Sequence, residues 1–107
     1  MKTLDPKKLE EAISRLVAAM RPERIYLYGS HAYGQQSEDS DVDLLVVMPF
    51  EGSRRKRLVE MYVALGDFRW PTDIVIATPE EFDRAPRIPG SIVRVAREEG
   101  RVLYAYS

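Results

Sequence analysis

Asp41 and Asp43 stand two residues apart at the head of an apolar run, Leu44-Leu45-Val46-Val47-Met48. In an extended strand, residues i and i+2 project from the same face. Both carboxylates therefore point one way, about 7 Å apart along the backbone, while Val42 and Leu44 point the other. A third aspartate, Asp73, heads a similar run, Ile74-Val75-Ile76. Two carboxylates ~6 Å apart repel by about 3 kcal/mol at an effective dielectric near 20. Three on one face would consume a large share of a small domain's stability. Solvation, partial protonation or a bound cation can relieve that repulsion. The cation is the economical answer, because Mg2+ takes one or two carboxylates and completes its shell with waters and substrate phosphates. A calcium loop beginning at Asp39, Asp41 and Asp43 would need glycine at position 44 and glutamate at position 50. The chain has Leu44 and Phe50 there.

Gly29-Ser30 follows another short run, Arg24–Tyr28. A glycine where a strand ends lets the backbone approach a phosphate, and N–H groups opening a helical turn favour an anion. The Ser30 hydroxyl adds a donor. A phosphate cradle on one strand end, beside paired carboxylates on the next strand, is a layout for phosphoryl transfer. Two metal ions there could clamp the attacking and leaving oxygens of an in-line displacement.

The elements that must position these residues can be read from periodicity and punctuation. Asp5-Pro6 is an N-cap followed by proline at the first helical position. Leu9, Ile13, Leu16, Val17 and Met20 recur at helical spacing, so residues 6–20 form an amphipathic helix closed by Arg21-Pro22. Arg24–Tyr28 is a strand and His31–Gln35 a helical turn. Asp41–Met48 is a second strand, apolar on both faces over Leu44–Val47 and hence central. Leu58, Met61, Tyr62 and Leu65 mark the inward face of a second helix that Gly66 stops, behind a charged stretch at 51–57. Thr72–Ala77 is the third strand. Thr78-Pro79-Glu80-Glu81 is a capping box that opens a short helix. Ser91 caps a last helix through Glu99, with Ile92, Val93 and Ala96 inward, and Val102–Tyr106 is an edge strand. The order predicts an α+β domain, a mixed β-sheet with helices packed on it, occupying 1–107 as one unit.

With these elements in place, Tyr28-Gly29-Ser30-His31-Ala32-Tyr33-Gly34 and Ser40-Asp41-Val42-Asp43-Leu44-Leu45-Val46 resemble the signature of the minimal nucleotidyltransferases. These are small members of the DNA polymerase β-like nucleotidyltransferase superfamily. Thr72-Asp73-Ile74-Val75 is similar to that family's third carboxylate strand, so the resemblance runs from about Arg24 to Glu81. It implies the polymerase β-like core, with Gly29 and Ser30 holding the triphosphate of ATP or another NTP. It also implies that Asp41 and Asp43 bind Mg2+, one ion or two, and that Asp73 completes the metal site and helps deprotonate the acceptor. Family members often serve as the antitoxin of a pair whose toxin is a helical HEPN ribonuclease encoded nearby. For them the resemblance implies transfer of AMP to a tyrosine of the toxin. One position departs from the pattern: Tyr33 stands where relatives commonly carry arginine. That either weakens phosphate binding or shifts the role to Arg24 or the Arg54-Arg55-Lys56-Arg57 cluster.

Composition narrows the alternatives. Sixteen basic and 17 acidic residues give a net charge of -1, which disfavours broad binding to nucleic acid or an anionic membrane. No apolar run approaches the ~20 residues of a membrane span, and the first twenty residues do not read as a signal peptide. Without cysteine there is no disulfide, thiolate zinc site or cysteine nucleophile, which fits the cytoplasm. His31, lacking a histidine or cysteine neighbour, reads as a solvated loop residue. Residues 54–57 read as a solvated face. Tyr26, Tyr28, Phe68 and Trp70 read as packing, and Tyr104 and Tyr106 as part of a partner surface. The sequence thus points to a Mg2+-dependent nucleotidyltransferase whose acceptor a partner protein presents. The competing reading is a catalytically vestigial module that neutralises its partner by masking it.

Overall fold

The computed structural model describes residues 4–29, 41–84 and 92–106. Strand β1 (Arg24–Tyr28) pairs antiparallel with β2 (Val42–Val47) at the centre of a four-stranded sheet. Strand β3 (Thr72–Ala77) joins β2 in parallel, and β4 (Arg101–Ala105) joins β1 antiparallel, for a spatial order β3-β2-β1-β4. A parallel pair needs a crossover, which here carries helix α2 (Arg54–Leu65). Helix α1 (Pro6–Met20) precedes the sheet, and α3 (Pro79–Arg84) and α4 (Ile92–Glu99) lie between β3 and β4. The expected mixed α+β sheet is what forms.

Side-chain alternation divides the core in two. Ile25, Leu27, Val42, Leu44, Val46, Ile74 and Ile76 pack on one face with Leu9, Ile13 and Leu16 of α1 and Met61 and Leu65 of α2. Tyr26, Tyr28, Leu45, Val47 and Ala77 occupy the other face with Phe82 of α3 and Ala96 of α4. Strand β2 is buried on both faces, which explains its unbroken apolar run.

The helix signals behave as expected. The Asp5 carboxylate accepts from the Lys7 N–H at 2.9 Å, and Arg21, at φ 49°, closes α1 through its N–H to Val17 O. Thr78 and Glu81 form the capping box, Glu81 N donating to Thr78 Oγ1 at 3.2 Å and Thr78 N to Glu81 Oε1 at 2.9 Å. The charged stretch departs from expectation. Helix α2 begins at Arg54, capped by Ser53 Oγ accepting from Lys56 N, so residues 54–57 form its first turn. Cations oppose the helix dipole there; Arg54 offsets this by donating to Ile76 O and pairing with Glu81, and Arg57 by pairing with Glu60. Tyr62 departs too: placed inward by its spacing, it is 42% exposed. The strands are shifted slightly, β2 starting one residue after Asp41 and β4 ending at Ala105. The turn expected at residues 31–35 and the Ser91 cap lie outside the described residues. Among those described, no helix is long and apolar enough to cross a membrane.

Candidate active site

Register brings the site together. Tyr28 pairs with Asp43 across β1 and β2, and Asp43 pairs with Asp73 across β2 and β3. Register partners share a face, so Tyr28, Asp43 and Asp73 form a row across three strands, on the side of Tyr26 and Leu45. Neighbouring strands lie ~4.8 Å apart, which places Asp43 and Asp73 nearer to each other than the i, i+2 spacing within one strand places Asp41 and Asp43. Asp43 is half-buried and Asp73 exposed. Asp41 lies one residue outside β2 and is exposed; the N–H of Val42 beside it bonds to Pro71 O at 2.8 Å. That bond ties the entry of β2 to the entry of β3.

The end of β1 bends against the same carboxylate. Gly29 sits at φ 78°, and a Cβ built there would collide with Asp43 Oδ2 and lie 3.2 Å from its Cγ. Two requirements therefore make residue 29 a glycine: the left-handed backbone and the close approach of Asp43. The predicted proximity of this turn to the carboxylates holds for Gly29. Ser30, like His31 and Tyr33, lies outside the described residues.

Tyr28 contributes more than the packing expected of it. It is 8% exposed. Burial, followed by the charges of Asp43 and Asp73 and the neighbouring Tyr62, pushes its hydroxyl up to about 12. It is thus a neutral donor beside two carboxylates over the whole physiological range. Tyr62 reaches the row from the other side: its Oη accepts from the N–H of Ile74 at 3.0 Å, at the free edge of β3 and one residue from Asp73. Sequence periodicity masked both residues, because an aromatic ring satisfies a packing pattern whatever its polar tip does. The only hint was position, Tyr28 directly preceding Gly29 and Tyr62 being the one polar-tipped side chain on the inward stripe of α2.

The donor set suits a hard cation held partly by its ligand. Mg2+ needs only one or two protein carboxylates when phosphates and water supply the rest, and Asp43 with Asp73 meets that need. Among the described residues, no three acidic or histidine side chains group closely enough to hold a metal by themselves. Asp41 therefore does not complete such a cluster with the other two.

The suggested substitutes for a cation at position 33 are placed elsewhere. Arg24 pairs with Val47, at the opposite end of the sheet from Tyr28 and Asp43. Its guanidinium donates to Tyr26 Oη at 3.3 Å and lies 5.6 Å from the Phe82 ring centroid. Arg54 is fastened to Ile76 O and Glu81, near the exit of β3. Four residues of strand separate that end from the aspartates, about 13 Å, so neither Arg24 nor Arg54 replaces the missing arginine. An apolar groove of about 740 Å³ between α1 and β4, lined by Leu9, Ile13, Leu27 and Tyr104 among others, lies on the opposite face of the sheet. It holds none of the aspartates.

Comparison with known proteins supplies the family. The model of the nucleotidyltransferase domain matches residues 6–103. A candidate protein adenylyltransferase of Methanocaldococcus jannaschii is 31% identical over 106 residues, covering 89% of this chain and 97% of that protein. Three solved structures share the fold. One is a candidate nucleotidyltransferase of Sulfolobus solfataricus (TM-score 0.56, 22% identity, 92% of this chain and 78% of that one). Another is a toxin–antitoxin crystallised with AMP-PNP (TM-score 0.63, 22% identity, 92% and 74%). The third is a double Asp→Glu mutant of the toxin–antitoxin MntA–HpeT (TM-score 0.66, 20% identity, 97% and 76%). With a mixed four-stranded sheet, two aspartates in register and a family match over nearly its whole length, the chain belongs to the nucleotidyltransferase domain family.

Proposed function

We propose that this nucleotidyltransferase moves AMP from ATP, with Mg2+, onto a hydroxyl of a partner protein, a tyrosine of a helical HEPN-type toxin for which it is the antitoxin. The observation that carries the reading is the row Tyr28–Asp43–Asp73 with the Gly29 backbone pressed against Asp43. In this reading Gly29 and Ser30 would take the triphosphate, while Asp43 and Asp73 would hold the cation, with phosphate and water completing its shell. Held there, Mg2+ would supply neutralisation of the charge that builds on the phosphates. Asp73, the most peripheral carboxylate of the row, faces the acceptor and takes its proton. Tyr28, protonated throughout, donates to a neighbouring oxygen. A candidate adenylyltransferase among the relatives and a toxin–antitoxin crystallised with an ATP analogue among the structures support ATP and a protein acceptor. An exposed surface of α2, which reaches β3 through the Tyr62 hydroxyl at Ile74, also favours a protein acceptor. Val59, Tyr62 and Val63 form an exposed apolar stripe on α2, at 55%, 42% and 73% exposure, which suits a protein surface better than a small polar acceptor.

The test is incubation with α-labelled ATP, Mg2+ and the protein encoded beside this one. Label on the partner that vanishes with Asp43→Asn supports transfer. Inhibition of the partner that persists in Asp43→Asn, with no label in either case, shows masking instead.

A further inference from the structure

In the proposed reaction an acceptor hydroxyl lies beside Asp73, and the fold already places a tyrosine hydroxyl there. The Oη of Tyr62 is 3.0 Å from the N–H of Ile74, the residue that follows Asp73. That bond holds the oxygen at the open edge of β3 and uses it as acceptor, so the hydroxyl's own proton is not spent in it. Tyr62 is 42% exposed, with Val59 and Val63 exposed beside it on the helix. Tyr62 also shares the electrostatic neighbourhood of Tyr28, together with Asp43 and Asp73, which sets its hydroxyl at the carboxylate end of the sheet. An acceptor in such a site needs a fixed oxygen, an available proton and a base; the bond to Ile74 supplies the first two for Tyr62, and Asp73, the residue before Ile74, is the candidate for the third.

We infer that Tyr62 is an acceptor within the chain itself, modified with AMP when no partner occupies the site. The inference rests on the reading of Asp73 as the proton-accepting carboxylate. In the step, Tyr62 Oη forms a bond to the α-phosphorus of ATP and the bond from that phosphorus to the α,β-bridging oxygen breaks. Pyrophosphate leaves with the electron pair, and the phenolic proton passes to Asp73. Tyr28, buried and a neighbour of the same carboxylates, lacks the exposure to serve instead.

The experiment is intact-mass and peptide analysis of the full chain after incubation with ATP and Mg2+ alone, beside calorimetric binding of Mg2+-ATP. The expected result is one AMP per chain, mapped to the peptide containing Tyr62, and absent from Tyr62→Phe and Asp73→Asn. Because the label is mapped on the wild-type protein, the result does not depend on how well either variant folds. If ATP binds in an Asp43-dependent manner but the chain stays unlabelled, or is labelled elsewhere, the inference is overturned and the transferase reading stands. If Mg2+-ATP does not bind at all, both fall.

Discussion

Replacing Gly29 by alanine tests the closest contact in the site. At φ 78° an L-residue pays about 1–2 kcal/mol for the left-handed backbone. The added methyl also occupies the space of Asp43 Oδ2, so the carboxylate must move or the strand end must lift. Overpacking of that kind costs a further ~1–3 kcal/mol. The sum, about 2–5 kcal/mol, is a large part of a small domain's stability. It lowers the melting temperature by at least about 8 °C at roughly 4–8 °C per kcal/mol. Gly52 provides the control, since it has φ 83° and nothing within 4 Å of a built Cβ. Gly52→Ala therefore carries the backbone cost alone and leaves nucleotide binding intact. Thermal unfolding and calorimetric titration with Mg2+-ATP on both variants separate the contributions. In an Asp43→Ala background, Gly29→Ala should shrink toward the Gly52→Ala value, because the colliding oxygen has gone. Equal losses in Gly29→Ala and Gly52→Ala, with wild-type Mg2+-ATP binding in both, would refute the placement of Asp43 against the turn.

Other consequences are separable. Asp73→Asn removes one of two neighbouring charges; given its exposure, relief of repulsion is worth about 1 kcal/mol. Without divalent ions the variant should melt slightly above wild type, and it should lose the stabilisation that Mg2+ gives the wild type; a fall in metal-free stability contradicts this. The Tyr28 hydroxyl is raised in the fold from 10.0 to about 12. Its contribution is therefore fully present below pH 10 and fades as the pH climbs toward 12, by at most ~2–3 kcal/mol. Phenolate absorbance should show one of the six tyrosines ionising well after the rest, and Tyr28→Phe should remove that late step. Burial alone would raise Glu81, but the Thr78 N–H and Arg54 hold it below its ordinary 4.5. It stabilises α3 above that pH and less as acid protonates it. Thr78→Ala should cost about 1 kcal/mol at neutral pH, read by denaturant unfolding.

The fold was legible where local chemistry and burial agree. The Asp5 and Thr78 caps, the Gly66 stop and the apolar alternation of β1, β2 and β3 each carry their own signal, and each forms. The start of α2 was less so, because a run of cations at a helix N-terminus opposes the dipole. Only tertiary partners, Ile76 O and Glu81, show why it is tolerated there. In the candidate site, the pairing of Asp43 with Asp73 could be anticipated from two strands that each open on an aspartate. Which strand lies next to which is fixed by long-range pairing, and so the row with Tyr28 emerges only from the sheet order. The same long-range geometry defeats the idea that Arg24 or Arg54 serves the phosphates. Sequence distance says nothing about which end of the sheet a residue occupies.

The measurement that bears most directly on the central claim is anomalous diffraction from crystals grown with Mn2+ and a non-hydrolysable ATP analogue. The predicted result is a manganese peak bridging the carboxylates of Asp43 and Asp73 and the triphosphate, with the phosphates against the Gly29 backbone. A nucleotide seated in the α1–β4 groove, or a metal bound away from both aspartates, would contradict it.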